Sequence, residues 1–501
     1  MAKQSGLRYC PHNERSLFDM KTGFAEADIT PLPGTQRAGA YSRLLIQGVR
    51  DPLKVRASVF DDGREALAIV GLDTCMIGRS TVARARRLIA ERSGLKPENI
   101  MIAASHTHSG ASLWGFRAEE LEDAPELIRR LALEISASVD INYEELVVRK
   151  LCDAVLEAFA QRKETLLSIG KGQEGAAVFN RRFLMRQGGA FTHPGKGNPD
   201  ILKAAGPIDP ELNVLGAWDS NGKLSGCIVN YACHGTAYSQ MNASADWICA
   251  MEKTIRASFG EELVVVFLNG ACGDVTQVDN LSTRQHRSPE EYLNIIGTRV
   301  GAEALKVLIS SERGALAPLR ASTEKIRVKR RSNDSLKTRQ ALELVQRLIN
   351  SEGQEPSEDF IWAKERLLAD YIAAREPEKE FELQAFQIGP AIFLANPSEF
   401  FCSLGLRLKR EASHFPFVFV VELANDCIGY VPDEDAFGPG GGGYETRLTS
   451  YSNLETGTGG KIIEALAALA KKFSPGEVPK GPEIEGPGGP WSYGNQAPEL
   501  Q

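Results

Sequence analysis

Residues 101–110 read MIAASHTHSG, an apolar run of strand character that begins at Ile100 and breaks off into Ser105, His106, Thr107, His108, Ser109 and Gly110. Along a strand, residues two apart share a face, so the spacing predicts that His106 and His108 point into one small volume above a sheet. The chain has seven histidines, and two of them alternating at a strand end mark a place for chemistry. Neutral imidazole is a common zinc ligand and also gives or takes a proton near neutral pH. Just upstream, residues 55–60 and 66–72 read as strands joined by Asp61-Asp62-Gly63-Arg64, a hairpin turn. Residues 80–93 carry Val82, Ala83, Ala85, Leu88 and Ile89 at helical spacing, and Gly94 ends the helix. Strand, helix and strand with a polar cluster after the second strand is the α/β pattern, in which sites form beyond the carboxyl ends of strands.

The same transition from apolar strand to polar cluster returns twice downstream. Residues 212–218 and 224–231 form a hairpin that delivers His234, and residues 391–395 run into Asn396-Pro397-Ser398-Glu399. Between them come a short strand before Arg181 and Arg182, a helix over 246–258, and a fully apolar strand over 263–268. That strand feeds a small-residue turn carrying Asp274 and Thr276, and a helix follows over 289–310. Residues 333–375 are helical and heavily charged, and read as a solvated surface hairpin or lid. A helix over 403–411 and a buried strand over 415–423 complete the pattern; no internal repeat is visible. Two imidazoles and a carboxylate, with one position left for water, are the composition of a catalytic zinc site. Such a metal lowers the pKa of bound water to about 7 and polarises a carbonyl. Taken singly, His234 also reads as a satisfied core histidine and Glu399 as a helix-capping acid.

Composition bounds the rest. With 501 residues, 43% hydrophobic and 25% charged, the chain is an ordinary globular one of several domains or one large elaborated domain. A net charge of -7 and the lack of a basic stripe speak against a nucleic-acid partner. Nine cysteines with no CxxC pair read as reduced thiols, which predicts a cytoplasmic protein. Residues 1–20 read as a polar lead-in without a signal segment, residues 21–473 as the catalytic domain with its helical insertion at about 333–375, and residues 474–501 as a disordered Pro/Gly-rich tail. No apolar run is long enough to span a membrane, and the oligomeric state stays open.

The motifs Ser-His-Thr-His-Ser-Gly (105–110), Asn180-Arg181 after a short strand, His234-Gly235 at a strand end, Gly273-Asp274-Val275-Thr276 and Gly429-Tyr430-Val431 occur in the order found in the neutral, non-lysosomal ceramidases, and the chain resembles that family's N-terminal catalytic domain from Asp28 to about Tyr451. The resemblance implies an α/β fold with mixed sheets and peripheral helices; the family's C-terminal β-sandwich domain is expected to be lacking. It implies one zinc per chain, held by His106, His234, Glu399 and Tyr430, and hydrolysis of an N-acyl amide through zinc-bound water, with ceramide or a related N-acyl lipid or amide as substrate in sphingolipid metabolism. His108, Arg181 and Tyr444 would surround the amide oxygen, and His108 would help protonate the leaving amine. Thr276 falls where the family usually has a serine tied to the substrate's hydroxyl, and Asp274 is expected to order that turn. The loop over 438–443 is unusually glycine-rich. A serine nucleophile at this turn is disfavoured, since no GxSxG surrounds position 276. Two alternatives remain: a barrel amidohydrolase, which would carry its His-x-His pair on a first strand, and a lipid-binding relative without activity.

Overall fold

In the turn Asp61-Asp62-Gly63-Arg64, the Asp61 carboxylate accepts from the Gly63 N–H at 2.8 Å and the Asp62 carboxylate from Arg64 and Glu65. Gly63 takes φ 78°, a left-handed conformation that glycine adopts without a Cβ penalty. This folds strand Lys54–Asp61 onto Ala66–Leu72 in antiparallel register. Helix Arg79–Ser93 then stops at Gly94 in the left-handed region, and the chain returns as Ile100–Ala104, parallel to Ala66–Leu72. These elements belong to a computed structural model that describes residues 20–331, 334–350, 356–481 and 498–499.

The same topology occurs three times. In the second sheet, Glu211–Trp218 pairs antiparallel with Leu224–Tyr231, and helix Trp247–Phe259 leads to Val264–Asn269, parallel to Leu224–Tyr231. In the third, Glu378–Ile388 pairs antiparallel with Ala391–Ala395, and helix Cys402–Glu411 leads to Phe417–Val421 in parallel. The repetition was invisible in the sequence because it lies in the connectivity and leaves no residue pattern at a fixed period. Each sheet ends in a parallel pair, and the residues after those strands include His106, His234 and Glu399.

Alternation along each strand divides the core. In the first sheet Val55, Ala57, Val59, Ala68, Val70, Ile100 and Ile102 pack outward under helices Arg79–Ser93 and Ile141–Ala160. Phe60, Ile69 and Met101 face inward and meet Ile228, Val266, Phe393 and Phe419 from the other two sheets. Helices Trp247–Phe259 and Pro289–Ser310 cover the second sheet, and Cys402–Glu411 and Thr458–Ala470 the third. Strands buried on both faces read as continuous apolar runs, which is why they were legible.

Two expectations need correction. The charged stretch over 333–375 is a helical hairpin, Ser335–Leu348 and Glu358–Arg375; its first helix is largely exposed, as expected, but its second is not solvated all round. Phe360, Ala363, Leu367 and Leu368 pack with Leu121 and Leu131 in a separate apolar cluster, and Lys364 is fully buried. Strand Leu319–Lys329, eleven residues long, has no counterpart among the expected elements, because its alternation is broken by polar residues. The lead-in to residue 19 and the tail over 482–497 lie outside the described residues. The tail's start is anchored: Ser474 O accepts from Gln387 at 2.6 Å, and Gly476 N–H donates to Gly389 O at 3.0 Å. Among the described residues no helix is long and apolar enough to cross a membrane.

Candidate metal centre

His106 and His108 converge, but not by strand alternation. The strand stops at Ala104. Ser105 and His106 donate their N–H groups to Leu72 O and Thr74 O, each at 2.9 Å, and His106 takes φ 66°. That left-handed residue turns the chain so that Thr107 bridges Gly235 and His108 N–H donates to Gly235 O at 2.9 Å. A Cβ on Gly235 would lie 2.5 Å from His106 O, so glycine is what lets the two histidine-bearing loops touch. The result sets His108 Nε2 3.4 Å from His106 Nε2 and the His106 and His234 rings 4.4 Å apart.

The carboxylate arrives from the third sheet. Glu399 and Phe400 form a short parallel pairing with Tyr430 and Val431, with Glu399 opposite Tyr430. Glu399 Oε2 lies 3.2 Å from His106 Nε2 and 3.1 Å from His234 Nε2. Each imidazole is oriented by its far nitrogen: His106 Nδ1 donates to Cys75 O at 2.9 Å, and His234 Nδ1 to Cys272 O at 2.7 Å. That leaves both Nε2 atoms as lone-pair donors, and Glu399 Oε2 is buried without a hydrogen-bond partner. Three buried lone-pair atoms facing one another are costly unless a positive charge lies between them. His106, His234 and Glu399 form a group able to hold a metal ion, and this donor set, with backbone carbonyls fixing the imidazoles, suits zinc. Cys75, His106 and His108 form a second such group by proximity, but His106 Nδ1 is already committed to Cys75 O.

The electrostatics agree with a need for positive charge. Burial works against a charge on His106, yet Glu399 and Cys75 beside it raise its pKa well above the imidazole range. Burial likewise opposes ionisation of Glu399, but His106 holds it well below the carboxylate range. Burial and then Arg181 push His234 down to about 3. Burial, followed by the two neighbouring histidines, lowers His108 well below the ordinary value, so it is a neutral base at pH 7.

Arg181 is set by the pairing of Phe179–Asn180 with Val275–Thr276, and its N–H donates to Asp274 O at 2.9 Å. Its guanidinium donates to Glu445 at 2.7 Å, to Gly273 O at 2.9 Å and to the Tyr430 hydroxyl at 3.0 Å, and Nη1 stands 3.1 Å from His234 Nε2. The Tyr444 ring lies 5.5 Å from that of Tyr430. A cavity of about 120 Å³ is lined by His108, Glu399, Tyr430, Tyr444, Tyr451 and Glu365, among others. Thr276 is buried on the short strand opposite Phe179 and is not part of this cavity's wall. Asp274 accepts from Asn180 and from the Cys402 N–H, an ordering role for that turn.

Sequence reasoning missed four residues here. Tyr451 donates to Glu399 Oε1 at 2.6 Å. Glu445, fully buried, receives Arg181. Glu422, one residue past its strand, accepts from Cys272 and Phe400, and Glu365 of the helical hairpin reaches the cavity. Glu422 alone carried a usable signal, an acid directly after a buried strand.

No family model matches the chain. It is 25% identical over 319 residues to the neutral ceramidase of Pseudomonas aeruginosa, an alignment covering 59% of this chain and 43% of that protein, so the match spans less than half the length of its curated relative. Two solved structures share the fold. A ceramidase complexed with C2 superposes with TM-score 0.69 at 18% identity, and the neutral ceramidase from Pseudomonas aeruginosa with TM-score 0.67 at 20% identity; each match covers 93% of this chain and 77% of the other. In sequence over part of its length, and in fold over most of it, the chain is thus similar to neutral ceramidases.

Proposed function

We propose that the chain is a zinc-dependent hydrolase of an N-acyl amide bond, with ceramide or a related N-acyl lipid or amide as substrate. The observation that carries this reading is the buried convergence of His106 Nε2, His234 Nε2 and the unpartnered Glu399 Oε2, with Tyr430 beside Glu399 as the fourth ligand. The names of its relatives support ceramide as a first substrate to try. When bound, zinc supplies Lewis acidity to an amide carbonyl and brings water ionisation near neutral pH.

The chain's own groups do the rest. Arg181 and Tyr444 present N–H and O–H donors to the amide oxygen, where charge develops as the carbonyl is attacked. Donors held in place in a buried site stabilise such charge without reorganising, at about 3–4 kcal/mol for one donor removed. His108, neutral at pH 7, accepts the proton of the attacking water at Nε2 and passes it to the departing nitrogen, which leaves as an amine. Glu445 holds the guanidinium in place, and Tyr451 fixes the carboxylate of Glu399. The unbonded cysteines among the described residues support work in the reducing cytoplasm. The test is turnover of an N-acyl amide panel, ceramide included, by zinc-loaded wild type and His108→Ala. Amine release lost by at least a hundredfold in the variant, with zinc retained, is the expected result; no release from any amide by the zinc-loaded wild type counts against the reading.

A further inference from the structure

A second, larger cavity of about 610 Å³ adjoins the metal centre, and Trp114, Gly115, Phe116, Ser450 and Tyr451 line both spaces. Tyr451 joins them most directly: its hydroxyl rests on Glu399 while its side chain also walls the larger cavity. The cavity's apolar lining comes from Leu113, Trp114, Phe116, Leu121, Ile372 and Ile428. Its outer wall is the helical hairpin, through Tyr371, Ile372 and Arg375, so the hairpin completes a space that begins at the metal centre.

Charge at this cavity is unevenly committed. Among its acids, Glu376 is taken by Arg330. Asp426 Oδ1 accepts the N–H groups of Arg79 at 3.1 Å and Cys427 at 2.8 Å, while its Oδ2 is buried without a hydrogen-bond partner and faces Lys379; Glu120 accepts the Arg117 N–H at 3.3 Å. Among its cations, Arg117 is paired with Glu144 and Arg330 with Glu376. The other three are loosely held. Arg79 stands 3.6 Å from Glu380 and Lys379 3.9 Å from Asp426, while Arg375 donates to the Tyr371 hydroxyl at 2.8 Å and has no ion pair among the described residues. The cavity is therefore apolar inside, with spare donors that are cationic.

We propose that this cavity receives one arm of the substrate, an apolar chain ending in an anionic group such as a carboxylate, with Arg375 and Lys379 pairing with that group. The assignment rests on the amide-hydrolase reading above and deepens it. An amide held with its carbonyl at the metal centre directs one arm past Trp114 and Tyr451 into the larger space. An apolar arm gains by leaving water, and its charged end meets guanidinium and ammonium donors that pair well with carboxylates. A substrate of this class is an N-acyl amide with an acidic terminus, distinct from an uncharged two-chain lipid.

Two measurements test it. The first is kcat/KM on two amides identical except that one arm ends in a carboxylate or in its methyl ester. At least a tenfold preference for the carboxylate is expected, and it should vanish in Arg375→Ala/Lys379→Ala while the rate on the methyl ester stays unchanged. Equal rates on the two amides overturn the proposal and leave the hydrolase reading standing. The second needs no turnover: calorimetric binding of decanoate against 1-decanol. Decanoate should bind at least tenfold more tightly, and the double variant should lose that margin. Decanoate binding unchanged in the double variant places the anion elsewhere, for instance on the metal, and overturns the proposal. No amide turned over, with charge-dependent decanoate binding retained, instead refutes the hydrolase reading and leaves an anion-binding cavity.

Discussion

Replacing Arg181 by alanine should damage this protein in two separable ways. The side chain is 7% exposed and its carboxylate partner, Glu445, is fully buried. Removing the guanidinium leaves Glu445 with Thr192 at 2.8 Å and Arg182 at 3.5 Å, and strips donors from Gly273 O and the Tyr430 hydroxyl. Breaking a buried pair by deleting one partner costs about 3–5 kcal/mol when the remaining charge is uncompensated; Arg182, still 3.5 Å from Glu445, keeps the loss at the low end of that range. Losing a donor to the amide oxygen costs about a further 10²–10³-fold in kcat. Separating the effects requires Arg181→Ala, Glu445→Gln and the double variant, each followed by urea unfolding and by kcat on a cleaved amide. The double variant should recover much of the lost stability, since the orphaned charge is gone, but none of the lost kcat. Unchanged stability and unchanged kcat in Arg181→Ala would refute both the pairing and the role at the oxygen. Recovery of kcat in the double variant would show that Arg181 acts only through folding.

Further outcomes follow from other contacts. Tyr451→Phe removes the hydroxyl on Glu399 and should weaken zinc affinity about 10-fold, the lower end for the loss of a group orienting a ligand, with thermal stability little changed; competition with a chelator measures it. Lys364 is fully buried and donates to Tyr41 O, the Ser136 hydroxyl and Glu365, whose other oxygen accepts from Ser450. Lys364→Met orphans the Glu365 charge and should cost about 3–5 kcal/mol in urea unfolding, whereas Lys364→Met/Glu365→Gln should cost clearly less. Burial raises the Asp246 carboxyl from 3.8 to about 6 despite its bonds to backbone N–H groups. Because the folded-state value is the higher one, Asp246 contributes most to stability below about pH 4, and that contribution is lost as pH rises through 6. The unfolding free energy of Asp246→Asn in urea should therefore change between pH 4 and pH 7 by an amount that differs from the wild type by this missing decline, about 2 kcal/mol of the full two-unit difference.

Much of this fold could be read from the chain because its central strands are buried on both faces. Residues such as Val70, Ile102 and Val266 form uninterrupted apolar runs that no surface element resembles, and the polar residues ending them stood out against that background. His106, His234 and Glu399 were reachable for that reason, although the reason given for the His106–His108 pair, strand alternation, was not the one the backbone uses. Tyr430 was beyond spacing arguments, since its position follows from two residues pairing with Glu399 and Phe400 after a long excursion. Glu445 and Tyr451 were hidden for a similar reason: their partners, Arg181 and Glu399, lie 264 and 52 residues away. The helical hairpin was misjudged because its charged residues dominate its composition, while a single face carrying Phe360, Lys364 and Leu368 decides its burial.

The central claim is that His106, His234, Glu399 and Tyr430 hold one zinc ion, and the most direct test is elemental mass spectrometry of wild type beside His234→Ala, both prepared with zinc supplied. About one zinc per chain in the wild type and little in the variant is the result expected. No zinc in the wild type, or the same content in both proteins, would contradict the account.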